Sequence, residues 1–150
     1  MHKIFGEKRN VEYTDRKGAY LIPIKDGKVA VVKTSKGYFL LGGGIEQGES
    51  DEMCIICECM EEIGYEVLVE KHLCSAETYG NHYNNHPTIE YFHPIQTYYR
   101  GTLLDQKQSP IEKDHCLEWV NYEDLKGNLL VKMQNWAIDE CWKEIKRIDY

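Results

Sequence analysis

Three consecutive glycines, Gly42, Gly43 and Gly44, stand a short, fixed distance before a segment carrying Glu58, Glu61 and Glu62. No other feature restricts the fold of this chain as much. The glycines end a short apolar stretch, residues 38–41, that reads as a strand. Lacking Cβ atoms, they let the backbone turn sharply and bring its carbonyls and amides close to a ligand. Ser50 is a helix N-cap residue, and Asp51 and Glu52 follow in the first turn, where the helix dipole favours negative charge. The helix is predicted to run to about Ile63, with Gly64 as its stop. Glu58, Glu61 and Glu62 then stand at i, i+3 and i+4 and share one face within about 100° of arc. Met53, Ile56, Met60 and Ile63 are expected to line the opposite face and anchor the helix on a core. Like charges at this spacing cost a helix roughly 0.2–0.5 kcal/mol per pair. A hard, oxygen-seeking Mg²⁺ ion reverses that sign. Taken alone, the helix reads more readily as a solvated acidic face, and the glycine run as a simple tight turn.

The rest of the chain supplies strands around this unit. Residues 18–24 read as a buried strand, Asp26-Gly27 as a hairpin turn and residues 28–33 as its partner. Further strands are expected at residues 67–78, 95–104 and 116–120, and a polar, turn-rich loop at 79–87. From Tyr122 onward apolar residues recur at helical steps. Strands with one helix among them and another at the end predict an α/β fold, a sandwich with a mixed sheet.

At 150 residues the chain fits one domain, expected to span 1–150, with room for a real core. A net charge of −7 disfavours nucleic acid and anionic membrane as partners. A polyanionic substrate would need a cation between it and the protein. No signal peptide or apolar run of the ~20 residues a membrane helix needs is visible, which predicts a cytoplasmic protein. Its six cysteines, Cys54, Cys57, Cys59, Cys74, Cys116 and Cys141, are then expected to be free thiols. A zinc site on Cys54, Cys57 and Cys59 is a weaker reading, because all three fall on one helix and Cys59 points away from the other two.

Gly43, Glu49, Glu58, Glu61, Glu62 and Gly64 fall on the fixed positions of the Nudix signature. Six such letters coincide by chance on the order of once in ten million start positions. Glu46 and Gly48 also resemble the family's loop, and Glu118-Trp119-Val120 with the C-terminal helix resembles its usual ending. The chain is thus identified as similar to Nudix (MutT-like) hydrolases. Three departures stand out. Cys57 replaces the signature arginine, Cys59 and Tyr65 occupy its aliphatic positions, and Leu41 stands where a proline commonly precedes the glycines. Cysteine cannot donate the bidentate hydrogen bonds with which that arginine positions glutamates.

The resemblance implies an Mg²⁺-dependent pyrophosphohydrolase, with Mn²⁺ as a possible substitute. Its substrate would be a nucleoside triphosphate, a nucleotide sugar or a dinucleoside polyphosphate. Glu58, Glu61, Glu62 and the carbonyl of Gly43 (or Gly42) would hold the metal, and Glu49 would have a supporting part in catalysis. Glu112, Asp114 and His115 are candidate bases, though any one of them reads more readily as part of a solvated charged loop. Tyr79, Tyr83 and Phe92, with His82 and Tyr91, are candidates to stack on a base, though such aromatics are as often packing residues. Lys33, Lys36 and Arg100 are candidate phosphate contacts. A monomer or homodimer acting on a small-molecule nucleotide is expected. The alternative suggested by Cys57 is a catalytically weakened Nudix-fold module that binds a nucleotide or a protein.

Overall fold

The computed structural model describes residues 1–80 and 91–148. Its elements are β1 (His2–Phe5), β2 (Thr14–Lys25), β3 (Lys28–Thr34), β4 (Gly37–Phe39), β5 (Leu41–Gly44), α1 (Asp51–Ile63), β6 (Tyr65–Thr78), β7 (Phe92–Gln106), β8 (Cys116–Asn121), α2 (Tyr122–Leu125) and α3 (Lys132–Ile148). The strands follow the order β1-β6-β7-β2-β3-β4, with β5 also pairing β2 and β8 pairing β3. β1 runs parallel to β6 and β2 parallel to β7, while the other pairs are antiparallel. The sheet is therefore mixed, as expected, and helices cover both of its faces.

Alternation along the strands builds two apolar layers. Successive side chains of a strand point to opposite faces. Ile22, Val29 and Val31 join Met133, Ala137 and Ile138 beneath α3. Their sequence neighbours Leu21, Ala30 and Val32 join Cys54, Ile55 and Cys59 beneath α1. Full burial of a Leu, Ile or Val side chain stabilises by about 1.5–3 kcal/mol, so both helices are held chiefly by these layers. β2 begins earlier than its apolar residues do. Thr14 to Lys17 are exposed, yet pairing with Phe92 to Ile95 of β7 satisfies their backbone.

Three details depart from the sequence reading. First, α1 turns a different side inward: Cys54, Ile55, Cys59, Glu62 and Ile63 are buried, whereas Met53 is 57% and Ile56 40% exposed. The helix lies so close over β5 that the Cys54 thiol reaches the Gly43 and Gly44 carbonyls at 3.4 and 3.5 Å. Only small apolar side chains fit such an approach. Second, the C-terminal helical pattern is broken. α2 ends at Leu125, and residues 126–131 turn before α3 begins, so Leu130 lies outside any helix and is 53% exposed. Third, β1 was not foreseen. It is a short, mostly exposed strand held by its ladder to β6.

Candidate active site

Both ends of α1 are fixed by local chemistry. The Ser50 side chain accepts the amide hydrogen of Met53 at 3.2 Å. Gly64 closes the helix with φ 74°, its amide donating to the Cys59 and Met60 carbonyls at 3.1 and 3.0 Å. Ahead of the helix, Glu49 folds the loop: its carboxylate accepts from the Glu46 amide at 3.0 Å, and its own amide donates to the Glu46 carbonyl at 3.0 Å. The register of the helix over the glycines is set in this way.

The three glycines do not turn the chain after a strand but belong to β5, paired with β2, and there they meet two glutamates directly. Glu62 is only 6% exposed, and its Oε1 accepts the Gly42 amide hydrogen at 2.9 Å. Its Oε2 lies 3.5 Å from Nδ1 of His115. Glu58 rests on Gly43 so closely that a Cβ there would lie 2.6 Å from the Glu58 carboxyl carbon. Gly43 is thus needed for space.

Glu61 is exposed on the same helix. Its backbone carbonyl accepts from the amides of Ile111 and Glu112 at 2.8 and 3.3 Å, which fastens the segment before β8 to the end of α1. Glu112 and His115 are thereby brought to the glutamates. Asp114 turns instead to Ser35, whose hydroxyl donates to it at 2.7 Å.

The electrostatics are those of crowded acids. Burial, then Glu61, Glu112, Glu49 and Glu46, push the Glu58 carboxyl up to about 7. Glu62 is pushed up to about 8 by burial, which outweighs the lowering effect of the Gly42 amide, with Glu58, Glu112 and Glu61 adding to the rise. The charges acting most strongly on both are acids. Cys57 is exposed on α1 and gives neither glutamate a donor. Among the described residues, no three His, Cys, Asp or Glu side chains already converge as a metal cage. The donor set is nevertheless one a hard divalent cation fits: carboxylates costly to ionise together, beside a glycine that leaves room for them.

One cation of the site was missed by the sequence reading. Arg16 of β2 covers Gly44, where a Cβ would fall 2.3 Å from a guanidinium nitrogen. Nothing local marks it, since it sits in the charged run Asp15-Arg16-Lys17 ahead of the apolar part of β2. Arg16 and Gly44 border a cleft of about 320 Å³ that is also lined by Tyr20, Phe92 and Gln96. Phe92 is therefore beside the glycine loop. Tyr79 instead stacks on His93, with ring centroids 4.2 Å apart and planes at 7°. Tyr91 packs edge-on against Tyr13 at 5.9 Å. Tyr83 and His82 lie outside the described residues. Lys33 pairs with Glu118 at 3.9 Å, and Arg100 lines a separate hollow with Ile24, Trp142 and Ile145. Neither cation faces the glutamates.

Comparison with known proteins agrees with this geometry. The family model described as the NUDIX domain matches residues 14–140. The chain belongs to the Nudix family, a class of pyrophosphohydrolases that cleave phosphoanhydrides of nucleoside diphosphate derivatives. No curated protein matches it. Among solved structures, a MutT Nudix hydrolase from Burkholderia pseudomallei is 20% identical, with a TM-score of 0.65 over 85% of this chain and 98% of that one. A MutT protein from Methanosarcina mazei Go1 is 16% identical, with a TM-score of 0.69 over 91% and 99%. An ADP-ribose pyrophosphatase from Streptococcus suis is 16% identical, with a TM-score of 0.60 over 85% and 92%. At these identities the likeness is one of fold. Among the described residues, no helix is long and apolar enough to cross a membrane.

Proposed function

We propose that this chain is an Mg²⁺-dependent hydrolase of a nucleoside diphosphate-linked compound: a nucleoside triphosphate, a nucleotide sugar or a dinucleoside polyphosphate. The observation that carries this reading is the direct seating of Glu62 on the Gly42 amide and of Glu58 on Gly43. Glu58, Glu61, Glu62 and the Gly43 carbonyl would hold the ion, for which Mn²⁺ could substitute. When bound, the metal neutralises the diphosphate and acidifies water.

The chain's own residues do the rest. Glu49 keeps the loop closed over α1 through its bonds with Glu46. Arg16, above Gly44, is placed to meet a phosphate oxygen. Water attacks phosphorus in line, a P–O bond of the anhydride breaks, and the water's proton passes to His115 or Glu112. His115 suits that part because its buried Nδ1 makes no hydrogen bond among the described residues. Phe92 lines the cleft in which a base would lie, and Tyr79 and Tyr83 remain candidates from the sequence. The chain works as one domain over 1–150, in the cytoplasm, as a monomer or homodimer, on small molecules rather than nucleic acid or membrane.

The test is a screen of nucleoside triphosphates, nucleotide sugars, ADP-ribose and dinucleoside polyphosphates, following phosphate or pyrophosphate release with and without Mg²⁺. Turnover of any member only with metal supports the reading. One observation favours a second reading: among the described residues no arginine or lysine pairs with Glu58, and Cys57, at the signature arginine's position, is exposed. A weakened, nucleotide-binding module would bind members of the screen and turn over none.

A further inference from the structure

We propose that Gln96 selects the nucleobase, acting as a hydrogen-bond donor only and favouring a base that offers a carbonyl oxygen, uracil or a 6-oxopurine, over adenine. The proposal rests on the nucleotide-hydrolase reading and adds a substrate class to it.

The argument begins at a backbone amide. The N–H of Leu40 donates to Oε1 of Gln134 at 2.9 Å, and a backbone N–H can only donate. This fixes which end of the Gln134 amide is oxygen. Its Nε2 then donates to Oε1 of Gln96 at 3.4 Å. The Tyr98 hydroxyl donates to the same Oε1 at 2.8 Å. A carbonyl oxygen has two lone pairs, and both are now used. Gln134 is 1% exposed and Gln96 8%, so water does not readily scramble the chain of bonds.

The remaining polar atom of Gln96 is Nε2, which makes no hydrogen bond to a described residue. Gln96 lines the cleft that also holds Arg16 and Gly44. Its register partner on β2 is Gly18, where the Tyr20 ring takes the place of a side chain: a Cβ there would lie 2.9 Å from it. The cleft therefore offers a guanidinium at the glycine loop and an amide NH₂ deeper in. A nucleotide with its phosphates toward Glu58 would bring its base to that NH₂.

Base chemistry decides which bases suit. Uracil presents O2 and O4, and a 6-oxopurine presents O6 beside N7. Adenine carries a 6-amino donor where uracil and a 6-oxopurine carry a carbonyl oxygen, so an NH₂ aimed at that position faces a donor, and the ring acceptors N1 and N7 are each crowded by the same amino group. A donor left facing a donor in a closed site loses its hydrogen bond and its hydration together.

The experiment measures binding of UDP, GDP and ADP to the protein without metal, by calorimetry, alongside Mg²⁺-dependent turnover of UDP-, GDP- and ADP-linked sugars. Wild-type protein is expected to bind UDP and GDP about 3- to 10-fold more tightly than ADP, the worth of roughly one net hydrogen bond. Gln96→Leu should level the three. Gln134→Glu touches no ligand but supplies an acceptor to Gln96, whose amide then turns its oxygen to the cleft. That variant should shift the preference toward ADP, an effect that mere loosening of the fold would not produce. Equal wild-type binding of the three, or a preference that survives both substitutions, overturns the proposal. If the base preference holds but no diphosphate-linked compound is cleaved, the hydrolase reading fails and the role of Gln96 stands.

Discussion

Oε1 of Glu62 accepts the amide hydrogen of Gly42 at 2.9 Å, a buried bond between residues twenty apart in the chain. It joins α1 to the glycine loop and leaves Oε2 facing His115. Structure and chemistry therefore share one carboxylate, and the two roles separate on substitution. Glu62→Gln keeps an acceptor for Gly42 but loses the charge. Turnover should fall by at least about 100-fold, the order expected when a reacting centre is misplaced by about 1 Å. The melting temperature without metal should hold near neutral pH and rise above about pH 8, where the wild-type carboxyl would carry a buried charge that the amide avoids. Steady-state kinetics and thermal denaturation on the same preparation check both halves.

Gly43 of β5 and Gly48 of the turn before α1 should respond in opposite ways. At Gly43 an added methyl would meet the Glu58 carboxyl group. Gly43→Ala should therefore lose activity while retaining most of its stability. Gly48 has open space around it but φ +82°. Gly48→Ala should lose about 1–2 kcal/mol of stability through backbone strain and keep most of its turnover. Loss of activity in Gly48→Ala alone would reverse the assignment of the two roles.

Cys57→Arg restores the signature residue on an exposed position of α1, where a longer side chain has solvent to grow into. The fork of donors should tighten Mg²⁺ binding and raise kcat, by up to about 100-fold if positioning limits the wild type. Titrating kcat against Mg²⁺ for both proteins decides this. A well-folded variant with no gain in either parameter would mean that the arginine's role is filled by another group.

The N-terminal strand should be sensitive to acid. Glu77 binds Nε2 of His2 at 2.6 Å and Nε2 of His93 at 3.1 Å, and Asp15 binds the other His93 nitrogen at 2.8 Å. Burial raises the Glu77 carboxyl, but hydrogen bonds from His2, His93 and Tyr79 together bring it below its ordinary value of 4.5. A carboxyl lowered in the folded state stabilises above its unfolded pKa, and that contribution disappears as pH falls through the folded value. Glu77→Gln should thus melt a few degrees below wild type at about pH 6, with the gap closing toward about pH 3. A gap of constant size across that range would show that Glu77 acts by packing alone.

The local signals of this chain were legible and the spatial ones were not. Ser50 and Gly64 bracket α1 because capping is chemistry between near neighbours. The inward face of α1 was misread because Met53 and Ile56 are the more hydrophobic residues, while closeness to Gly43 and Gly44 selects the smaller Cys54 and Cys59. Arg16 reaches the site through the pairing of β2 with β5, which sets Gly18 opposite Gly44. No spacing in the sequence records that pairing. Glu112 and His115 could be named from residue type, but the carbonyl of Glu61 is what draws their segment to α1.

β2 runs parallel to β7 with Thr14 opposite Phe92 and Pro23 opposite Gly101, and α3 closes the far face only after that. During synthesis the glycine loop and α1 therefore emerge long before the strand that completes their sheet. The apolar residues of β2 and β3 must wait, with an open edge, for sequence from the second half of the chain. Pairing of this reach makes folding slow, and it leaves the nascent chain dependent on shielding from its own kind. A fragment ending before β7 should accumulate in aggregates, even though it carries every residue of the signature.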